Sequence, residues 1–351
     1  MPAYDAFLLL SFGGPEGPDD VMPFLEHVTA GRGVPAERLA EVAEHYYAAG
    51  GVSPINAQCR DMLAAIEAAG LGLPMYWGNR NWHPFLEDTV RQMASDGVER
   101  AIAFVTSAYS SYSACRQYQD DIARAVAAVG PRAPRIEKIR PYFNHPGFIE
   151  PFAANTEAAL ATLPADVADQ ARLVFTAHSV PLGMAAASGS ASGGTARPGA
   201  PGGRYAAELA EASRLIAERT RGGCLPRDLV YQSRSGPPGQ PWLEPDVRDH
   251  IASLAKAGVP AVAVVPVGFV SDHMEVMHDL DVEAAETAAS LGLPFARAKA
   301  PGSSERFASM VCELVAERTS GAPALALGDL GPAPAPCPAD CCRYTPPARP
   351  A

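Results

Sequence analysis

Eight short apolar runs alternate with longer stretches of helical period along this 351-residue chain, and no other feature constrains its fold as strongly. The runs lie at 5–11, 74–78, 101–106 and 135–140, and then at 171–177, 228–232, 261–267 and 293–296. Several, such as Phe7-Leu8-Leu9-Leu10 and Val262-Ala263-Val264-Val265, are apolar at successive positions. A strand with no polar face must be covered on both sides, which is the condition of a parallel sheet between two layers of helix. The segments between the runs can supply that cover: 35–49 has helical period and is closed by Gly50-Gly51, and 84–95 is closed by Asp96-Gly97. The pattern predicts an α/β fold. Four strands fall on each side of residue 150, predicting two similar units at 1–150 and 151–320, each with a four-stranded parallel sheet. Ligands in such sheets bind beyond the carboxyl ends of the strands, so polar residues directly after a strand are the first candidates for a site.

Charge and hydropathy exclude several classes of function. Lys and Arg total 28 against 39 Asp and Glu, a net charge of −11, and no basic block could track a nucleic-acid backbone. The longest apolar stretch, 259–270, is interrupted by Pro266 and is shorter than the roughly 18–20 residues a membrane span needs. The sequence enters Asp5-Ala6-Phe7-Leu8 without a basic, then apolar, then small-residue leader, so a cytoplasmic protein is expected. No exposed apolar stripe stands out, and a monomer is expected. Two segments break the rhythm. Residues 185–203 are mostly Ala, Gly and Ser and read as a mobile surface loop, and 321–351 is a Pro- and Ala-rich tail that carries cysteines.

Four constellations could carry chemistry. The first strand runs into Ser11-Phe12-Gly13-Gly14-Pro15-Glu16-Gly17-Pro18, which lacks dinucleotide-loop spacing and has two prolines where a phosphate would need backbone donors. It reads as a tight turn that exposes Phe12. The fifth run leads to Thr176-Ala177-His178-Ser179, placing His178 where a strand ends; an imidazole there can accept a proton near neutrality or bind a metal. The alternative is a histidine buried for structural reasons. After the seventh run, Glu275, Asp279 and Glu283 stand at i, i+4 and i+8, predicting three carboxylates in one row on a helix. Like charges at that spacing repel, so the row costs stability unless protons or a divalent cation occupy it. A solvated acidic face is the bland alternative, but Val276, Met277, Leu280 and Val282 make the segment apolar elsewhere. Last, Cys337, Cys341 and Cys342 offer three soft ligands within six residues, and a zinc site or iron–sulfur cluster would need a fourth from Cys115, Cys224, Cys59 or Cys312.

Taken together and in order, these motifs resemble the ferrochelatases, which insert ferrous iron into a porphyrin. The resemblance covers nearly the whole chain: Leu8 to Pro18, Gly50 to Ile55, Gly78 to Pro84, Thr176 to Pro181, Gln232 to Pro237, Pro241 to Leu243, and Val267 to Glu275. It implies two Rossmann-like domains of chelatase type with the porphyrin in the cleft between them. It makes His178 and Glu275 the facing pair that handles metal and pyrrole protons, with His273 in the same motif and Asp279 and Glu283 continuing a path for Fe2+. Phe12 stands where relatives place a Tyr or Met against the other face of the macrocycle, so no axial oxygen ligand comes from that side chain.

Finer expectations follow from the same resemblance. The 28–34 stretch, the terminal cysteines and the segment 107–118 are similar to actinobacterial members, which implies coproporphyrin III as substrate and iron coproporphyrin III as product in haem biosynthesis. Four propionates call for polar contacts, for which Arg32, His45, Tyr46, Ser53 and Tyr118 are candidates; Thr29 and Ala30 stand where some relatives have arginines. Members with a cysteine-bearing tail hold a 2Fe–2S cluster, which implies Cys337, Cys341 and Cys342 with Cys115 as fourth ligand and Cys224 as the competitor. Transient contact with neighbouring haem-pathway enzymes is a further expectation. The competing functions are a protoporphyrin IX ferrochelatase, a non-catalytic haem or metal carrier, and an iron–sulfur sensor.

Overall fold

A computed structural model of the chain describes residues 4–31, 33–189, 202–236, 239–338 and 340–345. All eight apolar runs form strands: β1 (Ala6–Ser11), β2 (Met75–Asn79), β3 (Arg100–Val105), β4 (Arg135–Lys138), β5 (Arg172–His178), β6 (Arg227–Gln232), β7 (Val262–Val265) and β8 (Phe295–Arg297). They make two four-stranded sheets, ordered β2-β1-β3-β4 and β6-β5-β7-β8. Every pairing is parallel. The architecture is thus α/β with two Rossmann-like sheets of one topology, as the alternation predicts. Some runs are trimmed where backbone chemistry requires it: 261–267 shortens to Val262–Val265 because Pro266 brings no N–H to the ladder.

The central strands are the most apolar because they are covered on both faces. Every residue of β1 is buried, and so is every residue of β7. Successive residues of β1 feed two different cores, Phe7 and Leu9 on one side and Leu8 and Leu10 on the other. The largest core runs through both units, joining Phe7, Ile102 and Phe104 to Leu173, Phe175 and Val265. The helix Glu305–Thr319, which follows β8, returns to the first sheet. There Phe307 meets Phe104 and Tyr142 edge-on, and Arg140 grips Glu317 through two hydrogen bonds of 2.8 and 2.7 Å. The two units therefore share one interior.

Both irregular segments are only partly as expected. Within 185–203, a short helix (Leu182–Ala186) leads in and the helix Gly203–Ala217 begins at the other end; residues 190–201 lie outside the described ones. The described part of the tail lacks regular elements but is tied down, since Leu327 N donates to the Asn144 carbonyl at 2.8 Å and Asn144 Nδ2 donates back to Leu327 and Gly331 at 3.0 and 2.9 Å.

In each sheet the strand order reverses beside the first strand of the unit, between β1 and β3 and between β5 and β7. Crossovers leave opposite faces at such a point, which opens a crevice at the carboxyl ends. Phe12 follows β1 at one crevice, and His178 ends β5 at the other.

Candidate active site

His178 is the last residue of β5 and Glu275 lies in the helix that follows β7, so the two come from opposite sides of the second crevice. His178 Nε2 stands 3.9 Å from Glu275 Oε2, with both side chains partly open to solvent at 34% and 48%. That gap is too long for a hydrogen bond and leaves both groups free to address a third atom. His178 Nδ1 contacts the Ser179 carbonyl, which can only accept, so Nδ1 carries a proton and Nε2 is the nitrogen that faces Glu275. Gly268 lets the two strand ends close up, because a Cβ there would lie 2.6 Å from Ala177 Cα.

His273 caps the helix that presents Glu275, its Nδ1 accepting from Glu275 N at 3.2 Å. Burial outweighs the neighbouring carboxylate and pushes the His273 imidazole down, which suits an acceptor that must stay unprotonated. After Val276 the chain winds as a π-helix, Met277–Ala284, rather than the α-helix expected for the acidic row. Its i→i+5 bonds widen the turn, a feature that collects at functional sites. Glu275, Asp279 and Glu283 stay close enough to act on one another, but each has its own partners. Asp279 accepts from Gln232 Nε2 at 3.2 Å and from Ser233 Oγ; Glu283 lies 3.2 Å from Arg248 and 3.8 Å from His278 Nε2. Burial, aided by repulsion from Glu275 and Glu283, pushes Asp279 up to about 6 despite those two hydrogen bonds. Ser233 reaches Asp279 from a left-handed backbone at φ +59°, a strained conformation for a residue with a Cβ.

The first unit supplies an aromatic wall. Phe12, Phe24, Tyr46 and Trp82 pack around one another, with Phe24 at 6.4, 6.0 and 6.0 Å from the other three rings. Tyr46 lies within electrostatic range of Glu275; burial first, and that carboxylate second, push its phenol well up. His45, one residue earlier, stacks on His278 of the second unit with ring centroids 3.8 Å apart. Two propionate candidates sit deeper than expected. Ser53 is 4% exposed and packs against Gly14, while Tyr118 is 5% exposed in the core beneath Arg80, whose guanidinium lies 4.7 Å over its ring. Arg32 lies outside the described residues.

The tail thiols gather at one place. Cys115 and Cys337 are in hydrogen-bonding contact, Cys337 also contacts Cys341, and Cys341 Sγ is 3.5 Å from Cys342 Sγ. The hydrogen bond from Cys337 holds the Cys115 thiol down to about 6, assisted by Lys138 and opposed by burial. Cys224 is exposed and its thiol bonds only locally, to the Gly222 carbonyl at 3.8 Å. Among the described residues no group of three or more His, Cys, Asp or Glu side chains is already arranged to hold a metal ion.

The sequence pattern that defines the ferrochelatases matches residues 4–319. A curated relative from Nocardia farcinica, coproporphyrin III ferrochelatase, is 56% identical over 97% of both chains. The protein of the same name from Streptomyces griseus is 51% identical over 97% of this chain and 93% of its own, and a ferrochelatase from Rhodopirellula baltica is 51% identical over 99% and 95%. This chain belongs to the ferrochelatase family. Among solved structures, SirB from Bacillus subtilis with Fe3+ shares the fold with a TM-score of 0.53 at 11% identity, covering 91% of this chain and 97% of that one. As a ferrochelatase the chain is a metal chelatase of the lyase class, with ferrous iron as a substrate. Among the described residues no helix is long and apolar enough to cross a membrane.

Several residues of the site carried no individual signal in the sequence. Gln232 and Ser233 were visible only as part of a family motif, and nothing marked them as the partners of Asp279. Thr176 Oγ1 donates to Gln232 Oε1 at 2.8 Å, which fixes that amide so that its nitrogen turns to Asp279. Such a contact joins residues far apart in sequence and leaves no periodic trace.

Proposed function

We propose that this ferrochelatase inserts ferrous iron into coproporphyrin III, releasing the two pyrrole protons and yielding iron coproporphyrin III for haem synthesis. The substrate reading is supported by relatives of that name at 51–56% identity over nearly the whole chain. The observation that carries the chemical reading is the open pairing of His178 Nε2 with Glu275 Oε2 at 3.9 Å.

The macrocycle would lie in the cleft with the Phe12, Phe24 and Trp82 wall against one face and His178 and Glu275 at the other. His178 Nε2 accepts the pyrrole protons one at a time, its Nδ1 being committed to the Ser179 carbonyl, and passes the first to water at its solvent-open edge before taking the second. Glu275 exchanges water for carboxylate on the incoming cation and hands it to the ring nitrogens. Asp279 and Glu283 form the outer part of the path: with its carboxyl pushed up to about 6, Asp279 can lose its proton to water as a cation arrives and regain one when the cation moves on. His273 orients Glu275 by capping its helix. Tyr46 extends the aromatic wall towards Glu275, His45 is assigned to the propionate side, and Ser53 and Tyr118 support that side from beneath. Coproporphyrin carries four propionates against two on protoporphyrin IX. The test is anaerobic ferrous iron insertion into both rings in parallel, followed by loss of porphyrin fluorescence. Turnover of coproporphyrin III with little of protoporphyrin IX supports the proposal; preference for protoporphyrin IX overturns the substrate, and tight binding of both without turnover overturns the enzyme.

We further propose that Cys115, Cys337, Cys341 and Cys342 hold a 2Fe–2S cluster, Cys224 standing apart. Their mutual contact, the lowered Cys115 thiol and the cations Lys138 and Arg204 beside them suit anionic sulfur ligands. Such a group supplies a one-electron centre and a cross-link between tail and body. Iron and sulfide analysis with the visible spectrum tests it: loss of the cluster in Cys115→Ser but not in Cys224→Ser is expected, and the reverse would transfer the fourth ligand to Cys224. The activity is assigned to a cytoplasmic monomer that meets its pathway neighbours transiently.

A further inference from the structure

The two strand ends that carry His178 and lead to Glu275 are each held by a buried tyrosine hydroxyl. Tyr205 Oη donates to the His178 carbonyl at 3.0 Å, and Tyr109 Oη donates to the Val267 carbonyl at 2.8 Å. Val267 directly precedes Gly268, the residue that lies against Ala177. The tyrosines are 4% and 1% exposed and their rings meet edge-to-face at 6.2 Å, so a shift of either ring presses on the other in a close-packed interior.

On their far side, both tyrosines are fastened to the thiol group. Tyr205 N donates to Ser188 Oγ at 2.8 Å, and the next residue, Gly189, donates its N–H to Cys342 Sγ at 3.2 Å. Arg204, the neighbour of Tyr205, lies within electrostatic range of Cys337 and Cys341 and pairs with Glu208 at 2.6 Å. Glu208 is fully buried and accepts from Ser110 N and Ser110 Oγ at 2.7 and 2.8 Å, and Ser110 adjoins Tyr109. A buried carboxylate costs several kcal/mol unless its oxygens are satisfied, as they are here, so this junction has few alternative arrangements.

We infer that Tyr109 and Tyr205 are positioning residues through which the thiol group fixes where His178 and the Glu275 helix stand relative to each other. The inference rests on the reading of His178 and Glu275 as the reacting pair. Any change in the thiols that displaces Gly189 or Arg204, whether loss of a bound metal group or oxidation, then reaches the His178 carbonyl in two steps, and it lowers turnover without loosening the porphyrin.

The test uses the full-length protein as purified, with Tyr205→Phe, Cys342→Ala and the double variant. Each is assayed for kcat and for coproporphyrin affinity by fluorescence quenching, and the His178 imidazole chemical shift is recorded in the same protein before any ferrous iron substrate is added. Tyr205→Phe is expected to lower kcat about tenfold, the scale of a small misplacement of a reacting group. Porphyrin affinity should stay within about twofold, so the loss is confined to the chemical step. Cys342→Ala should show the same split and move the His178 resonance the same way, and the double variant should fall no further than the worse single one. Tyr109→Phe, on the other arm, should behave alike. Multiplicative losses in the double variant, or equal losses of kcat and porphyrin affinity in the singles, would overturn the brace. His178→Ala separates the two levels: retained turnover there sinks the reading of the pair itself, whereas lost turnover together with multiplicative losses sinks only the brace.

Discussion

The ends of β1 and β5 occupy the same place in two sheets of the same order, and they carry opposite kinds of side chain. β1 ends in Ser11 and passes to Phe12, whose neighbours Phe24, Tyr46 and Trp82 offer ring surface and little that can move a proton. β5 ends in His178, opposite Glu275 and backed by Asp279 and Glu283. Topology therefore places the two crevices alike, while a few side chains at each strand end set up the proposed division into a wall that holds the ring and a wall that reacts. The division also bears on the fold's tolerance of an acidic row: the like charges lie in the second unit, with Arg248, Gln232 and Ser233 as partners, and of the aromatic wall only Tyr46 is described within electrostatic range of Glu275.

If the division is real, substitutions on the two walls should fail in different ways. The largest effect is expected from His178→Ala, which should slow insertion about 10³-fold, as loss of a general base does, with coproporphyrin affinity unchanged by fluorescence titration. Phe12→Ala should do the converse, weakening porphyrin binding about tenfold or more through lost ring contact while the rate from the bound state stays within a few-fold. A Phe12→Ala enzyme that binds normally but turns over slowly would erase the distinction between the walls.

A smaller effect separates Asp279 from a solvated surface acid. Its carboxyl titrates at about 6 in the folded protein against 3.8 ordinarily, so between those values the native state holds a proton that the unfolded chain has lost. Stability is then lost as pH rises through that window, and the full penalty is present above it. Asp279→Asn should raise the Tm above pH 6, by the equivalent of about 1–3 kcal/mol, and leave it unchanged near pH 4. Equal gains at both ends would show that packing, not ionisation, is responsible. The smallest expected effect is at Cys224, where Ser should leave insertion and the visible spectrum as they were, because its thiol faces solvent away from the other four.

What the sequence revealed follows from what leaves a local trace. Runs such as Phe7-Leu8-Leu9-Leu10 announce a strand buried on both faces, and the spacing of Glu275, Asp279 and Glu283 announces a shared helix face. The π-helical winding of that face was not legible, because the apolar pattern of Val276, Leu280 and Ala284 suits either helix. Contacts between distant segments were illegible for a different reason. The His45–His278 stack, the Gln58–Asp272 pair that joins the two units at 3.2 and 3.0 Å, and the return of Phe307 to Phe104 depend on how finished units dock. Ser53 and Tyr118 show the same limit, since a motif can place a residue near a cleft without showing what covers it.

The most direct test of the account is a single turnover with coproporphyrin III already bound, mixed anaerobically with ferrous iron while porphyrin fluorescence and proton release are followed together. The account predicts that wild-type protein loses fluorescence and releases protons in one phase, and that His178→Ala, binding the ring equally well, slows both about 10³-fold together. Rapid insertion by His178→Ala, with protons leaving on the wild-type time course, would contradict it.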